Sequence, residues 1–199
     1  MKLIIIGANG TVGSAISNEL GARHELIRVG KSSGEIQLDI SNSEQIQALF
    51  ARTGKVDGVV VAAGHVHFAP LGEIEEQHYH IGLNNKLMGQ VNVARIAQDY
   101  LHDGGSITLT SGFVGDIQIR AGASAAMVNG AIEGFVRGAA IELPRGLRIN
   151  VVSPGLLEAS VAALGSFFPG FEAVSAKRVG LAYARSVEGA QTGQVYAVR

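Results

Sequence analysis

The chain begins Met1-Lys2-Leu3-Ile4-Ile5-Ile6-Gly7-Ala8-Asn9-Gly10-Thr11-Val12-Gly13, an apolar run that stops at a glycine which then returns at every third position. Leu3 to Ile6 are uncharged and largely β-branched, as in a strand buried on both faces of a parallel sheet. Gly7, Gly10 and Gly13 then permit a sharp turn and a close approach of backbone to a ligand or to the sheet. From Thr11 the pattern becomes helical. Strand, turn and helix start together offer free N–H groups and a positive dipole end to a phosphate. The spacing is G-x-x-G-x-x-G, one residue longer in its first interval than the dinucleotide fingerprint. Asn9, Thr11 and Val12 lie inside the turn and join the three glycines as candidate dinucleotide contacts, with the Thr11 hydroxyl at the helix start where a pyrophosphate would sit. The competing reading is that these glycines serve only helix–sheet packing.

The rest of the chain alternates strand and helix. Glu25–Val29 reads as a strand ending at Gly30-Lys31-Ser32-Ser33-Gly34. An acidic residue at this place would bind the adenosine ribose and repel a 2′-phosphate. Instead Lys31 and Ser32 offer a cation and a hydroxyl, which favours NADP over NAD; the alternative is a solvated turn lysine. A short strand over Glu35–Leu38 leads to Asp39 on the ligand-binding rim. Ser41-x-x-Glu44 has the form of a capping box and opens a helix to about Thr53. Val56–Ala63 is a fourth strand closing in Ala62-Ala63-Gly64, small residues that leave room for a flat ligand. A helix is expected from Asn84 to Leu101, broken by Gly104-Gly105, then a strand over Ser106–Leu109 ending at Thr110-Ser111-Gly112. A second long helix spans Gly122–Leu143. Arg148–Val152 is a sixth strand closed by Ser153-Pro154-Gly155. Leu156–Phe171 reads as an irregular aromatic lid, Glu172–Arg185 as a helix and Gly193–Val198 as the last strand. The expectation is one α/β domain over residues 1–199, a three-layer, doubly wound parallel sheet of about seven strands.

Composition narrows the partners. Net charge is −1 and the apolar fraction 47%, without the basic excess of a nucleic-acid binder or the charge density of a disordered chain. No apolar run approaches the roughly 18 residues of a membrane span. Cysteine is absent, so disulfides and cysteine-based metal or nucleophile chemistry are excluded. A cytoplasmic protein with a small-molecule ligand is expected, with no nucleic-acid or membrane partner. His65, His67, His78 and His80 lack the spacing and carboxylate neighbours of a metal set, so no metal is expected; His65 is a minor candidate for acid–base work.

These landmarks, in this order and over essentially the whole chain, resemble the short-chain dehydrogenase/reductase family. The resemblance rests on the glycine turn, Asp39, Ala62-Ala63-Gly64, Thr110-Ser111-Gly112, Gly130-Ala131-Ile132-Glu133-Gly134-Phe135, Thr192-Gly193-Gln194-Val195 and, most specifically, Arg148-Ile149-Asn150-Val151-Val152-Ser153-Pro154-Gly155. It implies a nicotinamide cofactor, Asp39 beside the adenine, and Pro154-Gly155 beside the nicotinamide. It also implies subunit contacts through the two long helices, hence a homodimer or homotetramer. The family's catalytic serine matches Ser111. Its Tyr-x-x-x-Lys pair falls on Ala125 and Asn129, however, and its helix asparagine falls on Lys86. No tyrosine stands between Tyr100 and Tyr183.

Lysine and asparagine thus exchange helices, which suggests that Lys86 brings its ammonium to the space beside Asn129. Ser111, Lys86 and Asn129 form the candidate catalytic set, with Lys86 as electrostatic partner or proton source; the alternative makes Lys86 a surface or interface lysine. Two functions follow from the same residues. One is an NADP-dependent oxidoreductase with a rebuilt site acting on a small carbonyl or alcohol. The other is an inactive protein of this fold that binds a nucleotide or metabolite.

Overall fold

The computed structural model describes residues 1–199. Strands β1 (Lys2–Ile6), β2 (Glu25–Gly30), β3 (Ile36–Gln37), β4 (Val56–Val61), β5 (Leu101–Thr110), β6 (Arg148–Pro154) and β7 (Val195–Val198) form one sheet. Every pairing is parallel, in the order β3-β2-β1-β4-β5-β6-β7. Helices α1 (Thr11–Leu20) and α7 (Ala176–Glu188) cover one face. On the other lie α2 (Ser43–Thr53), α4 (Met88–Ala97) and α5 (Ala123–Ala139). Shorter helices α3 (Glu76–Ile81) and α6 (Val161–Leu164) flank the rim.

The continuous apolar run of β1 explains this layering. Ile4 and Ile6 pack with Ile46, Phe50, Val93 and Val128 from α2, α4 and α5. Leu3 and Ile5 pack with Ile16 and Leu20 of α1 and with Val179 and Tyr183 of α7. Successive side chains of a strand point to opposite faces, so a strand with helices on both sides has no polar face to show.

Strand order reverses between β1 and β4, and there the glycine turn lies. Gly7 has φ +87°, and a Cβ on it would come within 2.3 Å of the Ala62 carbonyl oxygen. A Cβ on Gly13 would meet the Gly7 carbonyl oxygen at 1.9 Å. Both contacts are with backbone, which has no room to give. Gly10 differs: its Cβ would meet only the Gly7 oxygen, at 3.4 Å.

Several boundaries depart from the sequence expectation. Helix α2 is capped by Asn42, whose Oδ1 accepts from the N–H groups of Glu44 and Gln45, rather than by Ser41. The Ser41 hydroxyl is drawn away by the Asp39 carboxylate at 2.6 Å. The helix expected over Asn84–Leu101 is two pieces, a π-helical turn at Gly82–Leu87 followed by α4, and it stops at Ala97. Leu101 pairs with Val56, so β5 begins early and carries Gly104 and Gly105 inside it. Helix α7 starts at Ala176, capped by the Ser175 hydroxyl, because Val174 is held in an extended bridge with Leu157. Helix α5 is shorter than expected, ending at Ala139.

Gly13→Ala is expected to cost several kcal/mol of stability, as a backbone clash at a special position does. Gly10→Ala is expected to stay within about 0.5 kcal/mol of the parent. Urea unfolding of both variants followed by circular dichroism checks the pair, and equal losses would contradict the assigned contacts.

Candidate functional site

Along the C-terminal ends of β1, β4, β5 and β6 runs a cavity of about 320 Å³ lined by small and aromatic residues. Val12, Ala62, Ala63 and Gly64 form one end, Pro154, Gly155 and Leu156 the other, and Phe68, Phe113 and Phe168 the aromatic wall. Ala125 and Asn129 of α5 close it from the helical side. The segment expected as a lid folds into short helical turns, with Phe168 packed on Phe113 at 5.0 Å between ring centroids.

Lys86 is the one charged residue in the lining. It sits in the π-helical turn, where widened pitch re-aims a side chain. Gly64 makes its position possible, since a Cβ there would strike the Lys86 Cγ at 2.6 Å. The Lys86 ammonium donates to Asn129 Oδ1 at 2.7 Å and to the Ser111 carbonyl oxygen at 2.9 Å. It takes part in none of the chain's ion pairs. Desolvation lowers its pKa from the ordinary lysine range to about 8. The residue itself keeps part of its surface open, so a ligand can reach it.

The structure therefore brings Lys86 and Asn129 together, although 43 positions separate them. Ser111 joins them only through its backbone. Its hydroxyl donates to Glu133 Oε1 at 2.8 Å, because the buried Glu133 carboxylate of α5 needs a donor. The residue whose missing side chain faces Asn129 is Gly112, where a Cβ would lie 3.1 Å from Asn129 Nδ2. The Ser111 hydroxyl is thus not presented to Lys86, contrary to the expected set. Glu133 was not singled out from sequence, and only its packing against β5 reveals it. Tyr183 offers no substitute phenol. It is fully buried in the opposite layer, its hydroxyl is bonded to Thr110 Oγ1, and burial raises its pKa.

At the other end of the rim, Gly7, Gly30, Lys31, Asp39, Gly64 and Asn85 border a small hollow. Lys31 is not a free cation here: its ammonium lies 2.7 Å from Asp39 Oδ2. This bond and two from Ser41 lower the Asp39 pKa to about 2. Asn9 Nδ2 donates to Ser33 Oγ, tying the glycine turn to the β2–β3 loop, while Ser32 and Thr11 are exposed. His65 borders this hollow and not the main cavity. His67 stacks on His78 at 4.3 Å.

Two observations test the fit of a dinucleotide. Gly10 caps α1 with no side chain to satisfy the helix's first N–H groups, and a Cβ there would meet only the Gly7 oxygen. Small residues at Ala62, Ala63, Gly64, Pro154 and Gly155 continue the groove from that helix start to Lys86. The residues fit an extended, flat, phosphate-bearing group.

Residues 9–198 match a family model described as enoyl-(acyl carrier protein) reductase. With its parallel sheet and cavity at the strand ends, the chain belongs to the short-chain dehydrogenase/reductase family. Over its full length it is similar to the protein lin1944 from Listeria innocua, with 45% identity, complete coverage of both chains and a TM-score of 0.98. It is also similar to a small-chain dehydrogenase solved in complex with NADPH, at 25% identity, a TM-score of 0.88, and coverage of 100% of this chain and 96% of that one. An uncharacterized oxidoreductase of Methylorubrum extorquens is 27% identical over 76% of this chain and 71% of its own length. A hydroxynaphthalene reductase of Aspergillus fumigatus is 30% identical over 63% of this chain and 48% of its own. The matched part thus spans about half of the fungal relative.

Burial of the Lys86 ammonium opposes folding. Its folded pKa of about 8 lies below the unfolded value of about 10.4, so the unfolded chain binds the extra proton between those two pH values. The penalty is complete below pH 8 and fades toward pH 10.4. Lys86→Met is expected to melt higher than the parent at pH 7, with the difference shrinking toward pH 10. Calorimetric melting curves across that range check the sign; a difference that does not change with pH contradicts it.

Proposed function

We propose that this chain is an NADP(H)-dependent oxidoreductase in which Lys86 supplies the site's ammonium from the π-helical turn, and that its substrate is a small carbonyl or alcohol compound with an apolar body. The observation that carries this reading is the 2.7 Å bond between Lys86 and Asn129. It restores a cation to the α5 side of the cavity although α5 itself carries asparagine. Gly7, Asn9, Gly10, Thr11, Val12 and Gly13 hold the pyrophosphate on the α1 N-terminus. Asp39 and Lys31 flank the adenosine, and releasing Lys31 from Asp39 gives a 2′-phosphate its cation. Ala62, Ala63, Gly64, Pro154 and Gly155 line the nicotinamide end. The NADPH complex of a similar dehydrogenase supports this assignment.

The cofactor, when bound, supplies or accepts hydride. The protein's part is electrostatic. Negative charge on a substrate oxygen is favoured by a nearby ammonium in a site of low hydration. An ammonium with a pKa near 8 also gives up a proton more readily near neutrality than an ordinary lysine. Asn129 and the Ser111 carbonyl fix the ammonium's direction, and Glu133 holds Ser111. The aromatic wall accords with an apolar substrate, and one group of relatives is named for reducing hydroxynaphthalenes.

A second reading has its own observation. With Ala125 at the tyrosine position and the Ser111 hydroxyl turned to Glu133, no hydroxyl donor is established beside the reacting centre. This favours a protein that binds the nucleotide or a metabolite without turning it over. Either protein pairs through the outward faces of α4 and α5, where Met88 and Met127 are exposed and Gly130, Gly134 and Gly138 leave open space.

Nucleotide binding followed by turnover separates the readings. NADPH fluorescence titration is expected to show binding that Gly10→Ala weakens about tenfold or more. A screen of aromatic ketones and alcohols is then expected to reveal turnover that Lys86→Met removes and that, in the reducing direction, falls as pH rises through about 8. That fall follows from loss of the ammonium form, as the Lys86 pKa requires. Tight NADPH binding with no turnover favours the binding protein, and no NADPH binding defeats the oxidoreductase.

A further inference from the structure

The Lys86 ammonium has three N–H groups, and the structure accounts for two, one on Asn129 Oδ1 and one on the Ser111 carbonyl oxygen. Both acceptors are neutral. The nearest acid among its contacts' own partners is Glu133, which is spent on the Ser111 hydroxyl and forms no ion pair with Lys86. A cation partly withdrawn from water without a counter-ion is costly, and proteins normally pair such a charge. Around it the cavity is apolar: Ala125, Val66, Leu156 and the rings of Phe68, Phe113 and Phe168 share the lining with Lys86, and no acid does.

From this uncompensated charge we infer that the cavity binds monocarboxylates with an apolar, aromatic-sized body, the carboxylate meeting the third N–H of Lys86 and the body lying against the aromatic wall. The inference rests on the proposed function, because this cavity is taken as the substrate site: the acid occupies the N–H that otherwise meets the substrate oxygen, so such monocarboxylates compete with the carbonyl or alcohol substrate. On the α5 side Ala125 contributes only a methyl group to the lining. A charge-assisted bond in such surroundings is stronger than a neutral one, and the apolar wall contributes without distinguishing acid from neutral analogue. Preference for the acid therefore reads the Lys86 contact alone.

Benzoate and benzyl alcohol serve as probes of similar size and different charge. Calorimetric titration at pH 6.5, on the chain alone and on the chain saturated with NADPH, is expected to give benzoate at least tenfold tighter binding than benzyl alcohol in both cases. Lys86→Met and Lys86→Gln are expected to bring the two probes to within about threefold of each other, with the loss falling mainly on benzoate. The inference is overturned if the parent binds both probes equally or neither, if either variant retains the preference, or if NADPH displaces benzoate, since the anion site would then belong to the cofactor. Failure of the proposed function looks different. In that case NADPH does not bind, while the benzoate preference of the chain alone still reads the acid site.

Discussion

The close passage of three backbone segments at the end of β1 is the constraint on which the rest of the site depends. Parallel strands β1 and β4 end level with one another, Ile6 beside Val61. Between them the chain must leave β1, turn and enter α1 without side chains in the way. Gly7 lies against the Ala62 carbonyl and Gly13 against that of Gly7, so the α1 N-terminus is pressed close to the sheet at the point where strand order reverses. Everything a dinucleotide needs follows from that geometry: uncapped N–H groups, a positive dipole end, and a groove running on toward Pro154.

The chemical end of the groove has been rebuilt around one charge. In the arrangement that the family resemblance implies, a lysine on α5 stands one helical turn from a tyrosine. Here those positions hold Asn129 and Ala125, and the lysine arrives from the neighbouring segment. A π-helical turn aims it, Gly64 gives it passage, and Asn129 receives it. The ammonium meets two neutral acceptors, Asn129 Oδ1 and the Ser111 carbonyl oxygen, and no carboxylate.

The Lys31–Asp39 ion pair of the rim illustrates how a local reading is redirected by neighbours. Along the chain Lys31 and Asp39 stand eight positions apart on separate turns, yet parallel pairing of β2 with β3 returns the chain so that the two side chains meet. A partly exposed pair of this kind contributes little to stability. Ser41 follows the same logic: a carboxylate two residues away outcompetes a helix end for its hydroxyl, and Asn42 takes over the cap.

By itself the sequence determined the layered parallel sheet, the order of its strands and helices, and the glycine turn, because each rests on local periodicity or on backbone freedom that a few adjacent residues control. It also pointed to the exchange between Lys86 and Asn129, since residue identity at matched positions is visible without coordinates. Tertiary structure alone decided the directions of side chains at the site. Ser111 turns to Glu133 because a buried carboxylate across the α5–β5 interface requires a donor, and no pattern along the chain encodes that demand. The π-helical pitch, the meeting of Lys31 with Asp39 and the absence of any counter-ion for Lys86 are likewise properties of packing between segments far apart in sequence.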